Sequence, residues 1–287
     1  MVGGWTEELL RPAGMTAGSK HCCDTRGMRR NRSLLQKGRT ALKVVILGTA
    51  GYRPNDHRQT TCVMLPESGV LLDAGTSIYR AAEYLTTDTL DIFLSHAHLD
   101  HIFGLTVLHD LLHLRPLSRV TLHAEAEKLA AVEQHLFHPS LFPVRPPLDT
   151  EILAAEVQLA CGGRLTSFPV VHPGGARGYR IDWPDRSLAY VTDTTANIDA
   201  PYVQHIQGVD LLIHECHLPD GKDKFARLTG HSCLTPVAQV AAYAEVGRVV
   251  LIHMNPLAEG DDPLGVDNVK SIFPHIEVAR DRQEFEF

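Results

Sequence analysis

The chain has 287 residues, 44% of them hydrophobic, and a formal net charge of −7, enough to bury a large core as one or two domains. No apolar run approaches the ~20 residues that span a bilayer, so the expectation is a soluble protein with no membrane partner. The six cysteines, Cys22, Cys23, Cys62, Cys161, Cys216 and Cys233, form neither a CxxC pair nor a regular framework, which points to a reducing, cytoplasmic setting without disulfides.

Residues 1–40 hold eight Lys/Arg against three acids, a net of +5 that leaves about −12 on residues 41–287. They lack the hydrophobic core of a signal peptide and have little periodicity. They read as a flexible tail, or as residues ahead of a later start at Met15 or Met28, and Glu7 and Glu8 fit organelle targeting poorly. From Ala41 onward the pattern becomes α/β, so residues 41–287 are expected to form the single structured domain.

Lys43 to Leu47 reads as a short apolar strand, followed by the Gly/Pro/Asn loop GTAGYRPNDHRQTTC and a strand from Cys62 to Leu65. Val70 to Leu72 is a third strand, ending at Asp73. Ile78, Ala82 and Leu85 then share one face at helical spacing. The stretch LDIFLSHAHLDHIFGL, residues 90–105, is a buried strand from Leu90 to Ser95, a loop carrying His96, His98, Asp100 and His101, and an amphipathic helix beginning near Ile102. Imidazoles and carboxylates are donors that zinc, manganese or iron accept. Crowded at one strand end without an ion, they would desolvate polar groups for no return. Alternation lets His96 and His98 face one ion while Asp100 and His101 face another.

Leu105, Leu108, Leu111 and Leu112 form a core stripe ending at Pro116, on which His109 and His113 are ordinary. Arg119 to His123 is a strand, and AEAEKLAAVEQHL is a helix with Leu129, Val132 and Leu136 inward. FHPSLFPVRPP cannot be regular structure. As a loop overhanging a site it would offer His138 to a substrate. Four further apolar runs stop at a histidine or an acid: Leu165 to Val171 before His172, Ser187 to Val191 before Thr192-Asp193, Val209 to Ile213 before His214-Glu215, and Arg248 to Ile252 before His253. Ligand sites in α/β sheets are assembled at strand ends. A helix opens at Thr235-Pro236 with a Thr N-cap and closes at Gly247. Glu277 to Phe287 fits a closing hairpin around Asp281-Arg282.

The HxHxDH spacing after an apolar strand resembles the signature of the metallo-β-lactamase superfamily of binuclear metal hydrolases. The later segments DLLIHECHL and TGHSCLTPVAQV resemble its ribonuclease Z and phosphodiesterase branch. The resemblance covers roughly residues 43–287. It implies an α/β fold, an αββα sandwich of two mixed sheets with helices on the outer faces. It also implies two divalent ions, zinc first, with manganese or iron as alternatives. His96, His98 and His172 would hold the first ion, Asp100, His101 and His253 the second, and Asp193 would bridge. Asp73 would brace the metal loop through hydrogen bonds, although the residues alone fit an Asp-Ala-Gly turn equally well. The resemblance also admits a homodimer.

The implied chemistry is attack by a metal-bridging hydroxide, formed from a water whose pKa drops from about 15.7 towards neutrality. Asp100 would orient the nucleophile or take its proton. Glu215 would pair with His231, which would donate to the departing oxygen; alternatively, Glu215 ends a strand and His231 caps a helix. The interval before His172 has no room for the basic Gly/Pro arm of full transfer-RNA-processing enzymes, and the acidic charge weakens capture of a polyanion. The expectation is therefore a phosphodiester hydrolase for a small or cyclic phosphodiester, a nucleotide or a short RNA. Arg58, Arg145, Arg177 and Arg180 would either bind phosphates or be solvated surface. Competing readings are a ribonuclease Z-type endonuclease of transfer-RNA 3′ ends, a carboxylic ester, lactone or thioester hydrolase that does not depend on His231, and a non-catalytic metal-binding protein. A redox di-iron enzyme is disfavoured, because that variant carries glutamate where this chain has His98.

Overall fold

Strand β1 (Lys43–Gly48) is apolar without alternation and is buried along nearly its whole length. Val44 and Ile46 enter one apolar cluster, Val45 and Leu47 another. A strand that must bury both faces belongs inside a layered structure. In the computed structural model, which describes residues 42–258 and 260–287, the layers are two seven-stranded mixed sheets with helices on their outer faces. The expectation for residues 1–40 lies outside the described residues.

The first sheet continues from β1 through β2 (Cys62–Leu65), β3 (Val70–Leu72), β4 (Thr89–Phe93), β5 (Arg119–Ala124) and β6 (Asp149–Ile152), in that spatial order. The second runs from β7 (Glu156–Gln158) through β8 (Arg164–Val170), β9 (Ala176–Asp182), β10 (Ser187–Val191), β11 (Leu211–Glu215) and β12 (Arg248–Ile252) to β13 (Ile276–Val278). Strand β14 (Gln283–Glu286) then crosses back and pairs antiparallel with β1. Between the sheets lie Phe93, Tyr179, Tyr190, Leu211, Ile252 and Phe285, all buried. Each large apolar side chain buried there stabilises the sandwich by about 1.5–3 kcal/mol.

Helices α1 (Ala81–Tyr84), α2 (Leu99–Ile102), α3 (Leu108–Leu114) and α4 (Ala126–Ala131) belong to the first half, α5 (Asp223–Thr229) and α6 (Leu234–Tyr243) to the second. Leu105, Leu108 and Leu111 pack on the first sheet, and Leu234, Val237 and Ala241 on the second. The helix expected from Ile102 starts at Leu99 and is interrupted by a 3-10 stretch at Phe103–Val107. There Gly104 lies so close to the Asp73–Gly75 turn that a Cβ would sit 2.1 Å from Gly75 O. This contact seats the histidine loop against the end of β3.

Two expectations fail. The C-terminal strands do not form a hairpin: β13 pairs parallel with β12, whereas β14 pairs with β1 in the other sheet. Asp281 in the turn between them accepts Thr49 N–H and Oγ1–H, Gln59 N–H and Arg80 Nη1–H, which anchors the crossover. Thr235 does not cap α6, since it lies inside the first turn and the N-cap is Cys233. Its N–H and hydroxyl both donate to Asp220, at 2.8 and 2.6 Å. The helix also ends at Tyr243, before Gly247. Among the described residues no helix is long and apolar enough to cross a membrane, and Cys62, Cys161, Cys216 and Cys233 are free.

Candidate metal centre

Strands of both sheets end at one place. From the first sheet come Asp73 after β3 and the His96–His101 loop after β4; from the second come His172 after β8, Asp193 after β10, Glu215 at the end of β11 and His253 after β12. Three of these exits are left-handed: φ is +62° at Asp73, +51° at Asp193 and +61° at His253. Such a backbone is disfavoured by about 1–2 kcal/mol per non-glycine residue. It turns each side chain sharply out of its strand, and strain of this kind concentrates at functional sites.

The seven donors expected from the sequence fall into two groups. His96, His98, His172 and Asp193 offer ligand atoms all within 4.8 Å of one another, and so do Asp100, His101 and His253. Asp193 faces both groups. Its Oδ2 lies 3.6 Å from Nε2 of His96 and of His172, and its Oδ1 lies 3.3 Å from His101 Nε2 and 3.2 Å from His253 Nε2. His98 Nδ1 is 3.2 Å from His172 Nε2, and Asp100 Oδ2 is 3.2 Å from His253 Nε2.

Outer hydrogen bonds fix which nitrogen faces inward. Asp73 is fully buried and accepts Ser95 N–H, Ser95 Oγ–H, Tyr190 O–H and His101 Nδ1–H at 2.6–2.8 Å. It braces the loop, and the turn-only alternative leaves those four donors unexplained. Because Ser95 Oγ donates to Asp73, it accepts from His96 Nδ1–H at 2.9 Å. His172 Nδ1–H donates to Gly230 O at 3.0 Å. Nε2 of His96, His101 and His172 is thereby the nitrogen that faces the centre.

Two observations test whether divalent cations fit this donor set. His96 Nε2 is buried with no hydrogen-bond partner, the kind of orphaned acceptor that ordinary packing avoids. Burial alone would raise the Asp100 carboxyl, yet His101 and His253 hold it below the usual carboxylate range, and Asp193 is likewise held down against burial by His253 and His101. Burial alone would lower His101 and His253, yet Asp193 and Asp100 hold both up. The pocket favours positive charge between ionised carboxylates, and the residues fit. His96, His98 and His172 are pushed the other way by burial, His172 to about 4, which keeps their lone pairs available.

Glu215 is fully buried and accepts Thr194 N–H and His217 N–H at 3.1 and 3.0 Å. Its Oε1 lies 3.4 Å from His231 Nδ1, but the ring is not aligned for a donated hydrogen bond and Nδ1 has none. The His231 ring stacks on His253 at 5.1 Å and on His217 at 4.6 Å. Burial raises Glu215 well above the carboxylate range and pushes His231 down to about 4.

Sequence reasoning missed His217, whose Nδ1–H donates to His253 O at 3.0 Å, although its place two residues after Glu215 was a usable signal. It also missed Tyr52, whose N–H donates to Asp100 Oδ2 at 2.7 Å. Of the arginines, Arg58 is buried and donates to Thr49 Oγ1 and Ala279 O, and Arg145 is paired with Glu133. Arg177 bonds Ser167 and faces Glu125, and Arg180 is paired with Asp182. All four are engaged within the fold. His138 is exposed and accepts Ser140 N–H.

A family model described as a beta-lactamase superfamily domain matches residues 69–254. The chain is 26% identical over 306 residues to a ribonuclease Z of Gemmatimonas aurantiaca, covering 85% of this chain and 96% of that protein. The metallo-beta-lactamase fold protein YhfI from Bacillus subtilis superposes with a TM-score of 0.71 at 18% identity, over 86% of this chain and 100% of that one. A diphosphatase from the PhnP family superposes with a TM-score of 0.65 at 23% identity, over 86% and 98%. At such identities the two structures bear on the fold alone.

Proposed function

The chain belongs to the metallo-β-lactamase superfamily, on its ribonuclease Z-like branch, and is a hydrolase; from this premise we propose that it cleaves phosphodiesters with two divalent cations, zinc first among them. His96, His98 and His172 would hold one cation, Asp100, His101 and His253 the other, and Asp193 both. The observation that carries the proposal is the division of one carboxylate between two donor groups, Oδ2 of Asp193 towards the first and Oδ1 towards the second. When bound, such a cation pair supplies Lewis acidity and an acidified water at neutral pH. The catalytic unit is residues 41–287, with 1–40 outside it.

The protein's own part is positioning and proton transfer. Asp73, Ser95 and Gly230 hold three imidazoles with Nε2 inward. Asp100 stays ionised within reach of the same centre and can accept a proton from the attacking water. The leaving oxygen is served by His231 and Glu215. Burial pushes Glu215 up and His231 down; His231 would donate its Nε2 proton to the departing oxygen and, on closing the 3.4 Å gap to Glu215 Oε1, take a proton from the Glu215 carboxyl at Nδ1. The imidazole ends neutral, and the new Glu215 carboxylate is stabilised by the N–H groups of Thr194 and His217. A small phosphodiester, a nucleotide or a short RNA fits better than a whole transfer RNA. The irregular segment between the π-helical turn Val132–Leu136 and β6 is short, and its Arg145 is already paired.

The test is metal content together with hydrolysis of bis(p-nitrophenyl) phosphate. Two ions per chain and cleavage are expected, and Asp193→Ala should remove both. Full activity in Asp193→Ala, or hydrolysis of lactones but of no phosphodiester, sinks the proposal.

A further inference from the structure

While the four arginines first considered for phosphate are engaged within the fold, a different set of cations stands free beside the centre. Lys222, the N-cap of α5, and Lys224 and Arg227 within it are exposed, and none has an ion-pair partner among the described residues. Of the nearby acids, Asp220 is taken up by Thr235, leaving Asp223 as the one counter-charge on the helix. This basic element contrasts with the charge of about −12 on residues 41–287. The same helix exposes Phe225 by 51% and Leu228 by 78%, and buries Ala226.

The helix is fastened to the centre at its C-terminal end. Gly230, its C-cap at φ +76°, accepts the Nδ1–H of His172. A Cβ on Gly230 would sit 2.6 Å from Pro173 Cδ and 2.8 Å from His172 Nδ1, so the helix end abuts the His172 loop directly. His231 N–H donates to Ala226 O at 2.9 Å. The helix therefore leads from a donor of the first group and from the proton-donating His231 out to solvent. Seven helical residues rise about 10 Å, a length that a nucleotide strand covers in roughly two or three phosphates.

We propose that α5 and Lys222 form the strand-binding element of this hydrolase. The three cations neutralise phosphates flanking the scissile bond, Phe225 stacks a base, and the substrate is a single-stranded oligonucleotide, not a cyclic mononucleotide. The proposal rests on the phosphodiester reading of the centre. Exposed cations beside an exposed aromatic ring are what single-strand binding uses, and an acidic protein needs such a local patch to hold a polyanion.

Fluorescence anisotropy of the full chain with a labelled, nuclease-resistant 2′-O-methyl hexaribonucleotide tests it. Each phosphate contact contributes about −0.7 to the slope of log affinity against log salt. The variant with Lys222→Ala, Lys224→Ala and Arg227→Ala should bind more weakly at 50 mM salt and lose about 2 from that slope, so that its further loss of affinity between 50 and 200 mM is roughly 20-fold smaller than the wild type's. Phe225→Ala should weaken binding roughly tenfold without changing the slope. A charge-matched variant with Lys43→Ala, Arg164→Ala and Lys270→Ala, remote surface residues, should bind as the wild type does. Equal weakening in both triple variants, no weakening in either, or full competition by an equimolar cyclic mononucleotide overturns the proposal. Binding needs no turnover, so failure on bis(p-nitrophenyl) phosphate counts against the hydrolase reading and leaves this measurement intact.

Discussion

Gly51→Ala should disable the second donor group while leaving the fold standing. A Cβ at Gly51 would lie 2.3 Å from Cε1 and Nδ1 of His253 and 2.6 Å from its Nε2, where ordinary contact begins at 3.4 Å. The ring or the loop must therefore give by about 1 Å, in a site packed closely enough that neither moves freely. The ring is held by Asp100 and Asp193 at Nε2, and the residue's carbonyl accepts from His217. The loop is tied by Gly51 N–H to Met254 O and by Tyr52 N–H to Asp100. Overpacking of this kind destabilises by about 1–3 kcal/mol, a Tm drop of several degrees for a domain this size. A 1 Å displacement at a reacting centre slows catalysis about 10²-fold. Gly208→Ala is the contrast: φ there is +64° with nothing within 4 Å of a Cβ, so it should lower Tm by a similar margin through backbone strain alone. Elemental analysis, thermal unfolding and kcat on bis(p-nitrophenyl) phosphate separate the two. Gly51→Ala is expected to retain fewer ions than the wild type and Gly208→Ala the full number; a fully loaded, fully active Gly51→Ala protein would refute the steric reasoning.

Three further outcomes follow from the same geometry. Asp73→Asn places an amide among four donors, so chelator competition should show metal binding 10–100-fold weaker, by about the usual effect of an outer partner; unchanged affinity would remove the brace. His231→Ala should slow alkyl phosphodiesters by about 10²–10⁴-fold and p-nitrophenyl esters far less, whereas equal slowing of both would dismiss it as proton donor. His214 is fully buried between Tyr202 O–H and Glu215 O, and burial pushes it from 6.5 down to about 4. Its folded pKa is depressed, so its contribution is complete above pH 6.5 and is lost as pH falls towards 4, about 3 kcal/mol in all. Denaturant titrations should find that His214→Phe flattens the pH dependence of stability over that window, and an unaltered slope would count against it.

Much of the fold and the centre could be read from the chain because both rest on local patterns. Unbroken apolar runs such as Val44–Leu47 and Leu188–Val191 predict strands buried on both faces, and the polar residue ending each run marks a sheet edge. The rest depended on partners distant in sequence. The turn at Asp281-Arg282 has the composition of a hairpin, yet β14 pairs with β1 because Asp281 finds donors on Thr49, Gln59 and Arg80. Whether a basic side chain is free for a ligand is likewise invisible locally: Arg58 is absorbed by Thr49 and Ala279, while Lys224 has no ion-pair partner among the described residues. The left-handed exits at Asp73, Asp193 and His253 had no glycine to announce them.

Neither sheet contains a complete donor group. His96 and His98 leave the first sheet to meet His172 from the second, and Asp100 and His101 leave the first to meet His253 from the second. The spacing of the centre is thus set by how the two sheets pack, through the aromatic layer of Phe93, Tyr179 and Tyr190 between them. Two members of that layer are also polar ties across the gap, since Tyr190 O–H donates to Asp73 Oδ2 and Tyr179 O–H to Leu94 O. Burial raises both phenols far above their ordinary range, so they remain protonated donors at any working pH. Tyr190→Phe keeps the ring and its packing while removing the tie to Asp73, leaving one fewer donor on the carboxylate that orients His101. That substitution separates the two contributions of the core: if stability alone were at stake, weaker hydrogen bonding would lower Tm and leave metal affinity untouched, whereas a core that also sets the centre must lose both together.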